Sequence, residues 1–150
     1  MILDERNEFC DATALNTGVA ASYLIGDVID TGMADSGMGD SDDLYLCINV
    51  DTAVTSGGSG TYAFKLCSDA QAAIAVDGSQ TIHFATALIA KTVLVAGYQI
   101  AAVKLPRGTY ERYVGIVQET AVAAATAGKV NAFLTKMVPV IKAYDSPAQA

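Results

Sequence analysis

The amino-acid composition of this chain excludes several classes of function. Its 150 residues are enough to bury one hydrophobic core but not two, so we expect a single domain. Nine basic side chains stand among sixteen acidic ones, with a net charge of −7 and an isoelectric point near 4.4. Because binding to phosphates requires clustered Lys and Arg, we expect no nucleic-acid partner.

The chain is also rich in apolar residues and poor in charged ones. Hydrophobic residues make up 52% and charged residues only 17%, whereas soluble domains carry ~25% charged residues. A surface with so little charge is typically covered in part by other proteins. Residues 84–103 form the most apolar stretch, but Lys91 and Gly97 interrupt it before it reaches the ~20 residues that cross a bilayer. We therefore expect protein partners and no membrane span.

The first residues and the cysteines predict a protein made in a reducing host cytoplasm. Residues 4–8 carry four charged side chains, so no apolar signal-peptide core follows the start. Cys10, Cys47 and Cys67 are odd in number and lack a C-x-x-C pair, which favours free thiols over disulfides or zinc ligands. Cys47 and Cys67 occupy similar positions in two strands predicted to be neighbours, so we expect them to lie close together.

In chain order, the predicted elements are almost all strands. Every second side chain in residues 44–50 is aliphatic, which places these side chains on one face of a strand. Tyr62, Phe64 and Leu66 share one face of residues 61–67 in the same way. Eight or nine such strands, separated by turn residues, are what two facing antiparallel sheets require. The predicted strands are residues 2–9, 23–30, 44–50, 61–67, 80–86, 92–95, 98–103, 111–119 and 129–137.

Three of the connections have a distinctive sequence. Residues 52–60 contain Ser-Gly-Gly-Ser-Gly and predict a flexible hairpin loop. Residues 68–71 have the S-x-x-Q form of a capping box, which leaves a short helical turn and an irregular loop both open. The alanine-rich run 121–128 is too short for an independent helix, so we expect a loop with one turn.

The acidic loop of residues 35–43 is the best candidate for an ion site. Its four carboxylates and two glycines have the oxygen ligands that Ca²⁺ prefers, but their spacing differs from that of the EF-hand loop. A solvated loop is the favoured interpretation, and we expect no bound metal and no cofactor. Met33 and Met38 add the adaptable apolar contacts that are typical of a binding loop.

Catalytic motifs are missing from the sequence. His83 is the single histidine, and no serine, cysteine or carboxylate motif predicts partners that converge on it. No G-x-S-x-G, H-E-x-x-H, dinucleotide-binding or P-loop pattern occurs. We therefore expect His83 to be a partly exposed strand residue and the protein not to be an enzyme.

Two separated groups of residues carry a family resemblance. The first runs from Met1-Ile2-Leu3-Asp4 through Asn7, Phe9 and Asp11-Ala12 to Val28-Ile29-Asp30. The second joins Arg112-Tyr113-Val114 to Ala127-Gly128-Lys129-Val130-Asn131-Ala132-Phe133-Leu134-Thr135. Together they resemble, over residues 1–136, the small jelly-roll capsid cement (decoration) proteins of tailed bacteriophages, of the Bordetella-phage type. The resemblance implies an all-β jelly-roll sandwich of about eight antiparallel strands. It also implies a homodimer that bridges neighbouring major-capsid subunits on the outer surface of the virion head.

The resemblance and the apolar tail together predict where partners bind. We expect a jelly-roll domain over residues 1–137 and a C-terminal arm over residues 138–150 that packs on a neighbour. A β-sandwich module for carbohydrate or receptor recognition is the alternative, although a chain without Trp offers few aromatic platforms. The predicted interface residues are Ile2, Leu3, Phe9, Met33, Met38, Arg112, Tyr113, Val138, Val140, Ile141 and Tyr144.

Overall fold

The computed structural model describes residues 4–40 and 43–138. Within these residues, a 3-10 turn at Glu5–Asn7 precedes nine strands. The strands are β1 (Glu8–Ala14), β2 (Ser22–Asp30), β3 (Tyr45–Ser56), β4 (Thr61–Asp69), β5 (Thr81–Ala85), β6 (Ile89–Ala90), β7 (Gln99–Lys104), β8 (Tyr113–Ala121) and β9 (Ala125–Thr135).

The strands form two antiparallel sheets that pack face to face. One sheet has the order β1-β9-β3-β7 and the other the order β2-β8-β4-β5, with the short β6 also paired to β4. The chain passes from sheet to sheet at most connections, and its last strand lies beside its first, which is the jelly-roll arrangement. The predicted all-β sandwich is therefore confirmed.

The core lies between the sheets, and the alternating pattern of the sequence places it there. Leu46 and Ile48 are fully buried in β3, and Tyr62, Phe64 and Leu66 are fully buried in β4. Each of these side chains belongs to one continuous apolar cluster that draws on both sheets. Burying apolar surface at ~25 cal/mol per Å² is the main force that holds two such sheets together.

Two connections predicted as loops belong in part to strands. β3 continues to Ser56, and β9 begins at Ala125, so only residues 57–60 of the predicted hairpin loop remain a loop. The prediction of a hairpin was wrong, because β3 and β4 belong to different sheets and do not pair with each other. Thr52, Thr55 and Ser56 pair with the first half of β9, which is part of the alanine-rich run. Neither segment has a strand pattern of its own, and each becomes a strand because the other supplies its hydrogen-bond partners.

One further prediction of secondary structure was wrong, and one that was left open is decided by the structure. Residues 92–95 form a turn rather than a strand, although the Val54 N–H donates to the Leu94 carbonyl at 2.9 Å. The capping-box segment forms no helix because the Asp69 carboxylate accepts from the backbone N–H groups of Gln71 and Ala75 in a bend. This bend brings Ile74 onto the outer face of the second sheet, where it packs on Cys67 and Val117.

The start of the chain also differs from the prediction. Among the described residues, the first strand begins at Glu8 and follows the 3-10 turn, whereas residues 2–9 were predicted to form it. Residues 2 and 3 lie outside the described part of the chain. No helix in residues 4–40 and 43–138 has the length and apolar character needed to cross a membrane.

The three cysteines are free thiols, as expected, but they do not form a pair. Cys47 lies in β3 of the first sheet and Cys67 in β4 of the second, so the prediction that the two cysteines occupy neighbouring strands was wrong. Burial raises the pKa of Cys10 to about 12 and that of Cys67 to about 11. The thiols therefore stay protonated at neutral pH and pack as small apolar side chains.

Candidate interaction surfaces

The two ends of the sandwich differ in chemistry. Each connection between strands lies at one end or the other, and the two ends therefore have different sets of residues. The end that we call the apolar end consists of residues 15–21, 57–60, 86–88, 91–98 and 122–124. Lys91 is the one charged residue among these connections. The end that we call the charged end consists of residues 4–7, 31–40, 43–44, 70–80, 105–112 and 136–138. Its charged side chains are Asp4, Glu5, Arg6, Asp35, Asp40, Asp43, Asp77, Arg107, Glu111, Arg112 and Lys136.

At the charged end, Arg112 organises an exposed cluster of residues. Its guanidinium donates two hydrogen bonds to the carboxylate of Asp30, at 2.8 and 2.9 Å, and lies 5.1 Å from the centre of the Tyr113 ring. The Thr31 hydroxyl bonds to the carbonyls of both Arg112 and Met33, at 2.8 Å each, so the Met33 loop is adjacent. We call Asp30, Thr31, Met33, Arg112 and Tyr113 the Arg112 cluster.

The electrostatics of the Arg112 cluster suit binding better than stability. The hydrogen bond from Arg112 lowers the pKa of Asp30, and Asp30 in turn raises the pKa of Arg112. Both side chains are about half exposed, and ion pairs in water contribute little to folding. Met33 is 63% exposed. Arg, Tyr and Met are enriched in protein interfaces, so the cluster has the composition of a contact surface.

A second group at the charged end is polar and partly buried. Ser68 Oγ lies 2.7 Å from His83 Nε2 and accepts the backbone N–H of Glu111 at 3.1 Å. The His83 ring stacks on Tyr110, with ring centres 3.7 Å apart. Glu111 accepts a hydrogen bond from the Thr81 hydroxyl at 2.7 Å. No sequence motif indicates these partners, and His83 is, as predicted, a partly exposed strand residue.

The geometry of this group indicates a structural role. Ser68 is fully buried, and its oxygen already has two partners, so no substrate can reach it. Burial lowers the pKa of His83, while the Glu111 carboxylate opposes this shift. The neutral ring joins β4 and β5 to the segment that precedes β8.

The acidic loop shows no ligand geometry in its described part. The Asp43 carboxylate accepts from Lys104 at 2.6 Å, and this hydrogen bond lowers the pKa of Asp43. Across residues 4–40 and 43–138, no three His, Cys, Asp or Glu side chains are grouped so that they could hold a metal ion. Asp42 lies outside the described residues.

The apolar end exposes large apolar side chains. Val19 is 77% exposed and Val122 is 74% exposed, each in a loop between strands. Val122 also has a φ of +68°, a left-handed conformation that is a true outlier for a β-branched residue. Such strain costs of the order of 1–3 kcal/mol. The other exposed apolar side chains at this end are Leu88, Val93, Val95 and Tyr98.

The loops of the apolar end are nevertheless tightly packed beneath this surface. A Cβ placed on Gly60 would contact the Tyr62 hydroxyl and would lie 2.8 Å from the Ala123 carbonyl oxygen. The Tyr62 hydroxyl donates to that same carbonyl at 3.2 Å. The Nζ of Lys91 donates to the Ser56 carbonyl at 2.7 Å, so the one charged group of these loops is hydrogen-bonded to the backbone.

The structure distributes the predicted interface residues unevenly. Met33, Arg112 and Tyr113 come together in the Arg112 cluster. Met38 is half-buried and packs against the core, and Val138 is half-buried at the same end. Phe9 is 1% exposed and belongs to the core, so its side chain is not on the surface. Ile2, Leu3, Val140, Ile141 and Tyr144 lie outside the described residues.

Sequence reasoning missed the apolar end. Its signal is present in the sequence as runs without charge, such as residues 52–64 and 120–128. Such runs are equally typical of buried strands, so only the pairing of the strands shows which residues reach the surface.

Comparison with known proteins gives a family. A search of curated proteins found no match. The family model Bbp16 matches residues 9–134. The match begins at the second residue of β1 and ends one residue before the end of β9, so it covers the whole sandwich. The family name indicates a protein of a Bordetella phage, in keeping with the bacteriophage resemblance of the sequence. The chain belongs to the Bbp16 family.

Proposed function

We propose that this protein is a capsid cement protein, which binds the outer surface of a tailed-phage head as a homodimer and links neighbouring major-capsid subunits. The observation that carries the proposal is the Bbp16 match across a jelly-roll sandwich. The proposed role is one of binding, without catalysis.

The Arg112 cluster supplies the proposed contact with the shell. The Arg112 side chain is already oriented by its hydrogen bonds to Asp30 and by the neighbouring Tyr113 ring. It therefore loses little conformational entropy when a partner binds it. Met33 beside it offers an exposed apolar side chain of adaptable shape. The Arg112 guanidinium and the Met33 side chain together fit a partner surface that has an apolar pocket for Met33 and carboxylates or carbonyls at its edge for Arg112.

Mass action explains how such a contact reinforces a particle. A protein that binds only the assembled lattice lowers the free energy of that lattice by RT ln(1 + [L]/Kd) at each site. This amounts to about 2.7 kcal/mol when the free protein is at a hundred times Kd. A dimer that binds two subunits gains further, because the second contact forms at high effective concentration.

The direct experiment mixes the purified protein with expanded heads that lack it and resolves the product by cryo-EM. We expect ordered density outside the shell at symmetry-related positions. Density confined to the inner wall, or none at saturating protein, would overturn the proposal.

A pair of variants tests the Arg112 cluster in the same experiment. Arg112→Ala should weaken co-sedimentation with the heads by roughly tenfold, as expected for loss of an interface arginine. Lys104→Ala is the matched control, because it also removes an exposed ion-paired cation at the charged end but leaves the cluster intact. Equal losses from the two variants would show that general charge, and not the cluster, makes the contact.

A further inference from the structure

We propose that a second copy of this chain docks on the apolar end, so that Val122 and Val19 of both copies meet at a two-fold interface. The inference rests on the homodimer of the proposed function and names its contact surface. Three observations support it: the surface is continuous, Val122 is exposed and has a strained backbone conformation, and the charged residues lie mostly at the other end.

The connections of the apolar end form one continuous surface. The N–H of Thr120 donates to the Ala21 carbonyl at 2.8 Å, which joins the loop of Val19 to the end of β8. A Cβ on Gly58 would lie 3.0 Å from the Cβ of Ala123, so the loop of residues 57–60 touches the loop of residues 122–124. The N–H of Lys91 donates to the Gly60 carbonyl at 3.1 Å and attaches residues 91–98.

Val122 is an unexpected residue for its position in this surface. A turn position with positive φ is normally filled by Gly, Asn or Asp, which tolerate the left-handed conformation. Here a β-branched side chain is held in that conformation and is 74% exposed to solvent. In the isolated chain it contributes strain and little burial, whereas burial against a partner would give the side chain a stabilising role.

The distribution of charge favours a second copy over other occupants. Two copies of a chain with net charge −7 repel each other wherever their charged surfaces meet. The apolar end is the surface where this repulsion is least, because its single cation is bonded to backbone. β3 has 12 residues, which at ~3.3 Å each make the sandwich about 40 Å long. The charged ends of an end-to-end dimer are thus separated by far more than the ~8 Å Debye length of physiological salt.

This arrangement also suits the proposed bridging. An isologous contact through the apolar ends points the two charged ends away from each other. Each copy of the Arg112 cluster is then free to contact a different subunit of the shell.

Sedimentation velocity from about 1 to about 500 μM protein tests the interface. We expect the wild type to dimerise, with a dissociation constant that changes less than about threefold between low and high salt, because an apolar contact is hardly screened. Val122→Asn should raise that constant by roughly tenfold or more. Asn tolerates positive φ, so the variant should fold at least as well as the wild type, and a folding defect cannot explain the loss.

Met33→Asn is the matched control, because it replaces an exposed apolar residue at the other end. It should leave the dimer unchanged. The combined variant Val19→Asp with Val122→Asp should be monomeric throughout the range. A dimer that survives this double variant, or a wild type that stays monomeric, would overturn the inference.

Binding to heads separates this inference from the proposed function. A wild type that dimerises through the apolar end but leaves heads undecorated refutes the cement role and leaves the interface standing. If the wild type is monomeric and the Val122→Asn variant no longer binds heads, the apolar end contacts the shell and not a second copy.

Discussion

The apolar and charged ends of this sandwich are stabilised by different kinds of interaction. At the apolar end, short loops interlock through glycine contacts and backbone hydrogen bonds, such as that from the Lys91 N–H to Gly60. At the charged end, longer connections are held by side-chain hydrogen bonds, both buried at Ser68 and exposed at Arg112. The comparison teaches that one fold presents two unlike surfaces, since each end is built from a different set of connections.

The largest effect is expected from filling space at the apolar end. Gly60→Ala places a methyl group against the Ala123 carbonyl and the Tyr62 hydroxyl, which loses its hydrogen bond. Overpacking and the lost bond together should reduce the free energy of unfolding by about 2–4 kcal/mol. Urea unfolding measures this change. Gly57→Ala is the control, because a Cβ there meets nothing within 4 Å, and it should be close to neutral. Equal effects would show that the loops are not interlocked.

A smaller effect is expected from the buried polar group at the charged end. Ser68→Ala removes the acceptor of the Glu111 N–H and the partner of His83. Leaving buried polar groups unsatisfied should cost about 1–3 kcal/mol of stability, again measured in urea. Ser79→Ala, which removes an exposed hydroxyl bonded to Asp77, should cost much less. A Ser68→Ala protein as stable as the Ser79→Ala protein would contradict the structural role of the buried group.

The smallest effect is a dependence on pH that belongs to the charged end. Burial lowers the pKa of His83 from its ordinary value of 6.5, so the unfolded chain takes up this proton at a higher pH than the folded one. The contribution of neutral His83 is therefore present above pH 6.5 and is lost as the pH falls below that value.

The measurement for His83 is thermal unfolding at neutral and mildly acidic pH. The wild type should lose more stability on acidification than His83→Gln, in which this position no longer titrates. A variant that keeps the full pH dependence of the wild type would show that other groups cause it. The groups that face His83 are Ser68, Tyr110 and Glu111.

Much of the sheet structure was predictable from local pattern. The alternation of Leu46, Ile48 and Val50 indicates a strand because a pleated chain turns successive side chains to opposite faces. The strand positions of residues 52–56 and 125–128 were not predictable in this way. Their side chains are polar or small, and their strand structure depends on pairing with each other.

The candidate surfaces were only partly predictable. Met33, Arg112 and Tyr113 were proposed for the interface from residue type and from the family resemblance. The hydrogen bond from Arg112 to Asp30 was not foreseen, because the two residues are 82 positions apart in the sequence and the pairing of β2 with β8 brings them together. The Ser68–His83 contact depends in the same way on the pairing of β4 with β5.

The sequence by itself determined the fold class, the strands with alternating side chains, the free thiols and the family of this protein. These properties follow from local periodicity, composition and residue identity. Tertiary structure alone decided that the connections with little charge meet at one end and the charged connections at the other. The reason is physical: each connection takes its end from the direction of the strands that it joins, and that direction is set by long-range hydrogen bonding between them.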